Sequence, residues 1–168
     1  TQSVFEVADR NTHTLMKLIV DLLDMSNIEK GELVLNFESF DLLELANTVA
    51  DEANSDKKMK TARVSIDDTA VSQVVYADPM LIGKAVSALV KNALRFSPND
   101  TPVTLHLRAG IESVIVEVAD LGIGISLQDR SRVFKKFFKL DESGNINGAG
   151  LGLSIAKRLI EAHGGEIG

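Results

Sequence analysis

The chain has 168 residues, of which 45% are hydrophobic and 25% charged, the composition of one folded domain with room for an additional segment. Because it has no cysteine and its three histidines lack metal-binding spacing, the sequence excludes disulfides, cysteine catalysis and thiolate or histidine metal sites. Its net charge of −6 argues against a nucleic-acid partner. The absence of a signal peptide or an apolar run near ~18 residues predicts that this segment is cytoplasmic and makes no membrane contact itself, although regions outside it could tether the full protein to a membrane.

The first predicted element is an amphipathic helix over residues 4–25. Its apolar side chains recur at near-heptad spacing, and Asn11 is the one polar interruption of the stripe. We expect this helix to pack its apolar stripe against another helix and to end at Gly31. The following segment, ELVLNFES at residues 32–39, alternates apolar and polar side chains, which predicts a strand.

The remaining elements alternate between helices and strands. Asp41 is expected to cap one helix, and Asp78 with Pro79 to begin another. Helices are predicted at residues 42–56, 79–96 and 151 to about 163, and strands at residues 62–67, 74–78, 102–109 and 112–120. The last two strands read as an antiparallel hairpin. This order predicts a two-layer α/β (α+β) domain with one mixed, largely antiparallel sheet and helices on one face.

Three alternate glycines, Gly148, Gly150 and Gly152, precede the last predicted helix. Glycines let the backbone approach a ligand closely, and a helix N-terminus offers free N–H groups to an anion. The stretch is not a Walker loop, because no lysine follows Gly152, and it does not follow a strand as a Rossmann fingerprint does. By itself it leaves a phosphate cradle and a plain flexible linker equally open.

A basic cluster precedes these glycines. It consists of five side chains within ten positions: Arg130, Arg132, Lys135, Lys136 and Lys139. Such a cluster is often only a solvated face, but beside glycine-rich loops it suits a small polyanionic ligand. Nucleic acid is a poorer match because no aromatic residues are interleaved with the bases.

Two polar side chains are candidates for ligand contacts. Asp120 follows an apolar strand and precedes two turn glycines, Gly122 and Gly124. A carboxylate at a buried strand end needs a donor, such as the exocyclic amine of a purine, or it simply begins a turn. Asn92 lies near the apolar face of its helix, where its side chain either holds a metal ion or faces water.

These pieces, in this order, resemble the nucleotide-binding domain of sensor histidine kinases, part of the superfamily with the Bergerat ATP-binding fold. LVKNALRFS resembles the asparagine box, DLGIGI the first glycine box, RVFKKFFKLD the phenylalanine box and GAGLGLSIAKRLIEAHGG the second glycine box. The segment from LMKLIVDLL to FESFDL resembles the second helix of the dimerisation hairpin and its connection to the catalytic domain. The resemblance implies a long N-terminal helix, with residues 1–31 as part of the dimerisation hairpin and residues 32–168 as an ATP-binding domain without its last strands.

The resemblance implies a base and metal site. Asp120 would hydrogen-bond the adenine amine above the turn shaped by Gly122 and Gly124. Asn92 would ligate a Mg²⁺ that bridges the phosphates. The resemblance also assigns three apolar residues to the nucleotide pocket: Phe96, Ile125 and Phe134.

The resemblance also implies a phosphate site and a lid. Lys91 and Arg95 would flank the phosphates, and Lys139 would reach the terminal one. The cradle and the start of the helix would come from Gly148, Gly150, Leu151, Gly152 and Leu153. Residues 135–149 would form a mobile lid.

The sequence departs from the family pattern in three ways. No histidine box is present, since His13 has no acidic neighbour or downstream proline. His13 is predicted to be an ordinary surface residue. His106 and His163 are predicted to be structural. Ala88 stands one turn before Asn92, where many kinases have a second asparagine and the ATP-hydrolysing relatives a water-activating glutamate. The chain also stops before the last strand pair usual in the family.

These features favour a phosphotransferase that moves the γ-phosphoryl group of Mg·ATP to a histidine outside this chain, for onward transfer to a response-regulator receiver domain. The full protein would be a homodimer through its dimerisation helices. One alternative is a non-catalytic, nucleotide-binding regulatory module. A hydrolysing ATPase is disfavoured because Ala88 cannot act as a general base, and a serine kinase of the anti-sigma type because such proteins lack the long leading helix.

Overall fold

A computed structural model describes residues 12, 15–16, 19–20, 22–23, 26–28, 30–55, 63–67, 69, 72–98, 100–110, 112–140 and 149–168. The regular elements, in chain order, are β1 (Glu38–Asp41), α1 (Leu42–Ser55), β2 (Val64–Ile66), β3 (Val74–Ala77), α2 (Pro79–Phe96), β4 (Val103–Ala109), β5 (Val114–Ala119) and α3 (Gly152–Ala162). The predicted helices after Asp41 and Asp78, the last helix, and the strands from residue 62 onward are therefore confirmed, with ends shifted by a few residues.

The N-terminal helix is described only in part. The described residues between 12 and 28 are helical, while much of the helix predicted over residues 4–25, including His13, lies outside the described residues. The predicted end at Gly31 is confirmed. Gly31 has a φ of +69°, and the N–H groups of Gly31 and Glu32 donate to the carbonyls of Ile28 (3.1 Å) and Asn27 (2.9 Å). This pair of bonds is typical of a helix that terminates at a left-handed glycine.

The strand predicted over residues 32–39 is wrong for most of its length. Only β1 pairs with another strand, and the residues before it belong to none. Leu33 instead packs against the hydrophobic cluster between α2 and α3. The N–H of Asn36 donates to the carboxylate of Asp78 (2.9 Å). The apolar alternation of this segment therefore reflects separate tertiary contacts and not a strand ladder.

The described strands form two hydrogen-bonded groups and not the single sheet that was predicted. β1 pairs antiparallel with β3, whereas β4 lies between β2, to which it is parallel, and β5, to which it is antiparallel. The pairing is mixed and largely antiparallel, as predicted. The hairpin between β4 and β5 is also confirmed, and it is closed by a bond from the N–H of Gly110 to the carbonyl of Ser113 (2.7 Å).

Two hydrophobic clusters hold the helices in place. The larger lies between α1, α2 and the strands β2 and β4, where alternate residues of β4 are buried: Val103, Leu105 and Leu107. The smaller lies between α2 and α3, and its buried members are Ala85, Leu151, Ile155, Ala156 and Leu159. This second cluster fixes the residue that begins α3, Leu151, against the middle of α2.

Candidate functional site

The last two turns of α2 carry four of the predicted site residues. The helix is fixed at its first turn by Asp78, whose carboxylate accepts the N–H of Leu81 (3.1 Å), and by Pro79 at the first helical position. Lys91 and Arg95 are exposed, and Asn92 and Phe96 are half-buried. Within the described part of the chain, the Asn92 side chain has no hydrogen bond or ion pair, so its amide is available to a ligand.

Desolvation changes the electrostatics of one of these residues. Although Arg95 is exposed as a whole, its guanidinium is partly desolvated by neighbouring protein atoms, which lowers the pKa of Arg95. Arginine nevertheless stays protonated at neutral pH because its ordinary pKa lies far above 7. The end of α2 therefore presents the positive charges of Lys91 and Arg95, one helical turn apart, on the helix that bears Asn92.

Asp120 begins the turn after β5. The premise that it lies at a buried strand end is wrong, because the residue is exposed and its carboxylate can be hydrated. Its Oδ1 accepts the N–H of Gly122 (2.7 Å), so the turn interpretation is correct. Its Oδ2 has no partner among the described residues. One carboxylate oxygen is thus held in place while the other is available to an external donor.

Gly122 allows this turn to contact the end of α2. A Cβ at Gly122 would lie 2.7 Å from the carbonyl oxygen of Phe96 and 2.6 Å from Oδ1 of Asp120, both too close for a side chain. Position 124 favours glycine for a different reason: its φ of +70° lies in the left-handed region, which side chains with a Cβ rarely adopt. Ile125, the next residue, is exposed. The two predicted boxes around Asn92 and Asp120 therefore meet through backbone contacts.

Residues 126–140 form a series of turns held by local polar contacts. The Ser126 hydroxyl donates to the Asp129 carboxylate (2.8 Å) and accepts the N–H of Asp129 (3.2 Å), in the manner of a helix cap. Arg132 forms an ion pair with Asp129 (2.9 Å), and its guanidinium lies 4.8 Å from the ring centre of Phe138. Arg132 of the basic cluster therefore has a structural role, whereas Lys139 is exposed.

Two contacts connect this segment to α3 and its preceding glycine. The N–H of Phe137 donates to the carbonyl of Gly150 (2.9 Å), and a Cβ at Gly150 would lie 2.8 Å from the carbonyl carbon of Phe137. Lys157 of α3 lies 5.4 Å from the ring centre of Phe134, within the range of a cation–π contact. The sequence reasoning missed Lys157, since a lysine in an amphipathic helix gives no signal of an aromatic partner.

The lid expected over residues 135–149 is described only at its two ends. Residues 141–148, including Gly148, lie outside the described residues. The bond between Phe137 and Gly150 brings the two ends together. Phe137 has a φ of +61° and is 62% exposed, so a bulky side chain occupies the left-handed region at this junction.

Among the described residues, no side chain caps the N-terminus of α3. Leu151 is the capping residue and provides no side-chain acceptor, and the first turn contains no acidic residue. The Ser154 hydroxyl donates to the carbonyl of Leu151 (2.8 Å), and no described N–H group of this turn donates to it. A Cβ at Gly152 would meet no atom of a described residue within 4 Å. This combination suits an anion that approaches Gly152 and Leu153 closely.

These residues fit a magnesium nucleotide. The Asn92 amide, the free oxygen of Asp120 and the uncapped turn at Gly152 are all available to a ligand. Among the described residues, the Ser97 hydroxyl oxygen is buried without a hydrogen-bond partner, directly after the Phe96 carbonyl that contacts Gly122. No group of three or more histidine or acidic side chains that could hold a metal occurs in the described part. A metal here would take its other ligands from phosphates and water.

The two histidines that the structure describes, His106 and His163, form hydrogen bonds with carboxylate or backbone groups. Nδ1 of His106 lies 2.6 Å from Oδ2 of Asp67, across β2 and β4. Nε2 of His163 accepts the N–H of Asp78 (3.2 Å), and its Nδ1 lies 2.7 Å from the carbonyl of Leu159. Both therefore have the structural roles that were predicted. No helix in the described ranges has the length and hydrophobicity that crossing a bilayer requires.

Comparison with known proteins gives a consistent set of matches. Residues 77–168 match the family described as histidine kinase-, DNA gyrase B-, and HSP90-like ATPase. The sensor-like histidine kinase SenX3 of Mycolicibacterium smegmatis is 32% identical over 161 residues, which cover 93% of this chain and 41% of that protein. The sensor histidine kinase GacS of Pseudomonas protegens is 36% identical over 172 residues, covering 95% and 18%. The chain thus spans less than half of either relative.

Solved structures agree with the observed fold. The histidine kinase AdeS of Acinetobacter baumannii superposes with a TM-score of 0.80 at 25% identity, covering 96% of this chain and 74% of that one. Full-length ShkA, crystallised in complex with AMPPNP, superposes with a TM-score of 0.77 at 25% identity, covering 97% and 34%. These likenesses confirm the expected Bergerat-type α/β fold.

Proposed function

Because this chain belongs to the histidine kinase-, DNA gyrase B-, and HSP90-like ATPase family, we propose that it is the ATP-binding catalytic part of a sensor histidine kinase. It transfers the γ-phosphoryl group of Mg·ATP to a histidine on a dimerisation helix outside this chain, and a response-regulator receiver domain receives the group next. The observation that best supports this proposal is the N-terminus of α3, which no described side chain caps and where Gly152 is open to a ligand. This N-terminus packs against α2, the helix that bears Asn92.

The adenine base is recognised at the turn after β5. Oδ1 of Asp120 is held by the N–H of Gly122, which leaves Oδ2 to accept a hydrogen from the exocyclic amine. Phe96, Ile125 and Phe134 supply apolar surface for the ring. The AMPPNP bound by ShkA, a protein with the same fold, supports an adenine nucleotide as the ligand.

The triphosphate is held by backbone dipoles and positive charges. The N–H groups of Gly152 and Leu153 bind phosphate oxygens, and Lys91, Arg95 and Lys139 neutralise their charge. Asn92 ligates the Mg²⁺. The metal, when bound, supplies charge neutralisation and orients the phosphates for in-line transfer.

The transfer needs positioning more than covalent help from this chain. An imidazole nitrogen of the acceptor histidine attacks the γ-phosphorus, the bond from phosphorus to the β,γ-bridging oxygen breaks, and ADP leaves. Preorganised N–H groups and cations stabilise the charge on the transferring group without reorganising at the moment of reaction. Rapid hydrolysis is disfavoured, because Ala88 packs against the cluster between α2 and α3 and offers no base to activate water.

The proposed activity also implies an organisation for the whole protein. Residues 1–31 belong to a dimerisation hairpin and residues 32–168 to the ATP-binding domain. The intact protein is a homodimer through these hairpins. Its ATP-binding part lies in the cytoplasm, where ATP and receiver domains are found.

Labelled ATP tests this function. The chain is incubated with [γ-³²P]ATP and Mg²⁺ and a separately supplied histidine-bearing hairpin of a sensor histidine kinase. Label on the hairpin that is stable to base and labile to acid is expected. ATP binding without any transfer would favour the non-catalytic regulatory module instead. Steady release of phosphate with no labelled protein would favour a hydrolysing ATPase.

A further inference from the structure

Three separate parts of the chain meet at Asp78. Its carboxylate accepts the N–H of Leu81 (3.1 Å), which caps α2, and the N–H of Asn36 (2.9 Å), in the entry segment of residues 30–37. Its own N–H donates to Nε2 of His163 (3.2 Å), at the end of α3. Asp78 is only 4% exposed, so these bonds are shielded from water.

The bonds define the protonation of both side chains. Nδ1 of His163 donates to the carbonyl of Leu159 (2.7 Å), which leaves Nε2 with the lone pair that accepts from Asp78. Burial by itself would raise the pKa of Asp78. The N–H groups that donate to its carboxylate, chiefly those of Asn36 and Leu81, favour the ionised form, and the pKa of Asp78 is lower than its usual value. The Nε2 atom of His163 and the carboxylate of Asp78 therefore join the entry segment to α2 and α3.

The entry segment also contacts the hydrophobic cluster that fixes the start of α3. Ile28, in the last described turn before this segment, and Leu33, within it, pack against the cluster that contains Leu151. Leu151 is the capping residue of α3 and lies between Gly150 and Gly152. Displacement of the entry segment would therefore remove packing from the residue on which the proposed phosphate-binding turn depends.

We propose that Asn36, Asp78 and His163 form a clamp that couples the entry segment to the nucleotide site. Nucleotide bound at the N-terminus of α3 holds the entry segment against α2 and α3, and release of the segment weakens nucleotide binding. Such a coupling is reciprocal, because each event changes the other by the same free energy. Asp78 and His163 are positioning residues here, and the inference rests on the proposed nucleotide site.

Replacing Asn36 by proline tests the clamp without altering a side chain of α2 or α3. Proline has no N–H, so Asn36→Pro removes the bond to Asp78. Val34→Pro is the matched control, because it puts the same ring into the same segment where the N–H has no hydrogen bond within the described residues. Binding of Mg·ATP to the whole chain is measured by calorimetry, at a temperature where circular dichroism shows each variant folded.

Hydrogen exchange provides the second readout. In the unaltered chain, Mg·ADP is expected to slow amide exchange in residues 30–37, which make no proposed contact with nucleotide. Asn36→Pro is expected to abolish this slowing and to weaken ATP binding about 5-fold or more, the lower end of typical couplings, while Val34→Pro does neither. A purely structural role for the bond would change stability and leave the nucleotide-dependent exchange intact.

The outcomes separate the clamp from the function on which it rests. If the unaltered chain binds no nucleotide, both the proposed function and the clamp are overturned. If it binds nucleotide and Asn36→Pro binds equally well, with exchange in residues 30–37 still slowed, only the clamp is overturned. Should Asn36→Pro not fold, His163→Asn replaces it and His163→Gln is its control, since a glutamine oxygen can take the place of Nε2 and an asparagine cannot. Equal nucleotide affinity of these two variants would likewise overturn the clamp.

Discussion

The glycines of the site that the structure describes differ in what a side chain would meet at each position. At Gly122 a Cβ would collide with the carbonyl of Phe96, and at Gly150 a positive φ of +69° combines with a Cβ position 2.8 Å from Phe137. At Gly152 neither constraint applies within the part of the chain that the structure describes, because the position is helical and a Cβ would meet no atom there within 4 Å. The protein itself therefore explains Gly122 and Gly150, whereas the described residues give no steric reason for a glycine at 152, which the proposed phosphate contact would supply.

This contrast predicts opposite effects for two alanine substitutions. Gly150→Ala should destabilise the fold by about 1–3 kcal/mol, because the left-handed backbone and the close contact with Phe137 are both unfavourable for alanine. Gly152→Ala should leave the fold as stable or add about 0.5–1 kcal/mol through helix propensity, yet weaken ATP binding. Thermal unfolding and nucleotide titration measure the two effects. A Gly152→Ala variant that binds ATP normally would argue against a phosphate at this turn.

Among the elements, the starts of α1 and α2 were readable from the sequence because each depends on a local aspartate cap. Asp41 accepts the N–H of Leu43 (2.8 Å), and Asp78 with Pro79 begins α2, as the sequence pattern predicts. The Ser72 hydroxyl also bonds the Asp41 carboxylate and lowers its pKa. Neither that bond nor the link from Asp78 to His163 could be predicted, because each joins residues far apart in sequence.

The strand groups were harder to predict for the same physical reason. Alternation identified β4 and β5, whose hairpin is local, but it also suggested a strand at residues 32–39, where Leu33 is instead packed in the cluster between the helices. Which strands pair is decided by tertiary packing, so the division into two groups had no local signal. For the site, the residue types at Asn92, Asp120 and Gly152 could be read from the sequence. The contact of Phe137 with Gly150 could not.

The contact between β2 and β4 predicts a dependence of stability on pH. The backbone N–H of Thr69, with a smaller contribution from His106, lowers the pKa of Asp67 to about 2. The unfolded-state value is about 3.9, so the carboxylate stabilises the fold above about pH 4 and loses this effect as the pH falls toward 2. Asp67→Asn should therefore be less stable than the unaltered chain near neutral pH, and the gap should close in acid.

Urea unfolding over a range of pH measures this gap. Asp51→Asn, at an exposed position of α1, is the control for simple loss of a negative charge. A gap for Asp67→Asn that stays constant from neutral pH to about pH 2, or one equal to that of Asp51→Asn, would contradict the assigned role of the bond to Thr69 and His106.

At the scale of the whole molecule, the N-terminal helical segment leaves apolar side chains exposed. The exposed residues are Leu15, Met16, Ile19, Val20, Leu22 and Leu23. Exposed apolar patches on one helix face commonly mark association sites. We expect the chain to self-associate through this segment, in line with the proposed homodimer, and Leu22→Glu to shift it toward monomer.

Sedimentation velocity over a range of concentrations tests the association. Val74→Glu is the control, because Val74 is also exposed and apolar but lies on β3, away from the segment. A chain that stays monomeric at high concentration, or that is dissociated equally by both substitutions, would contradict an interface formed by the N-terminal segment.

Calorimetric titration of Asp120→Asn with Mg·ATP measures whether this domain recognises an adenine nucleotide through Asp120. Loss of a charge-assisted hydrogen bond should weaken binding by roughly 1.5–3 kcal/mol, which is about 10- to 150-fold in affinity. Asp100→Asn is the control, because it also removes an exposed carboxylate, at a left-handed position (φ +72°) that asparagine tolerates. The affinity of this control variant for Mg·ATP should equal that of the unaltered chain. Equal binding by both variants, or no saturable binding by the unaltered chain, would contradict the account.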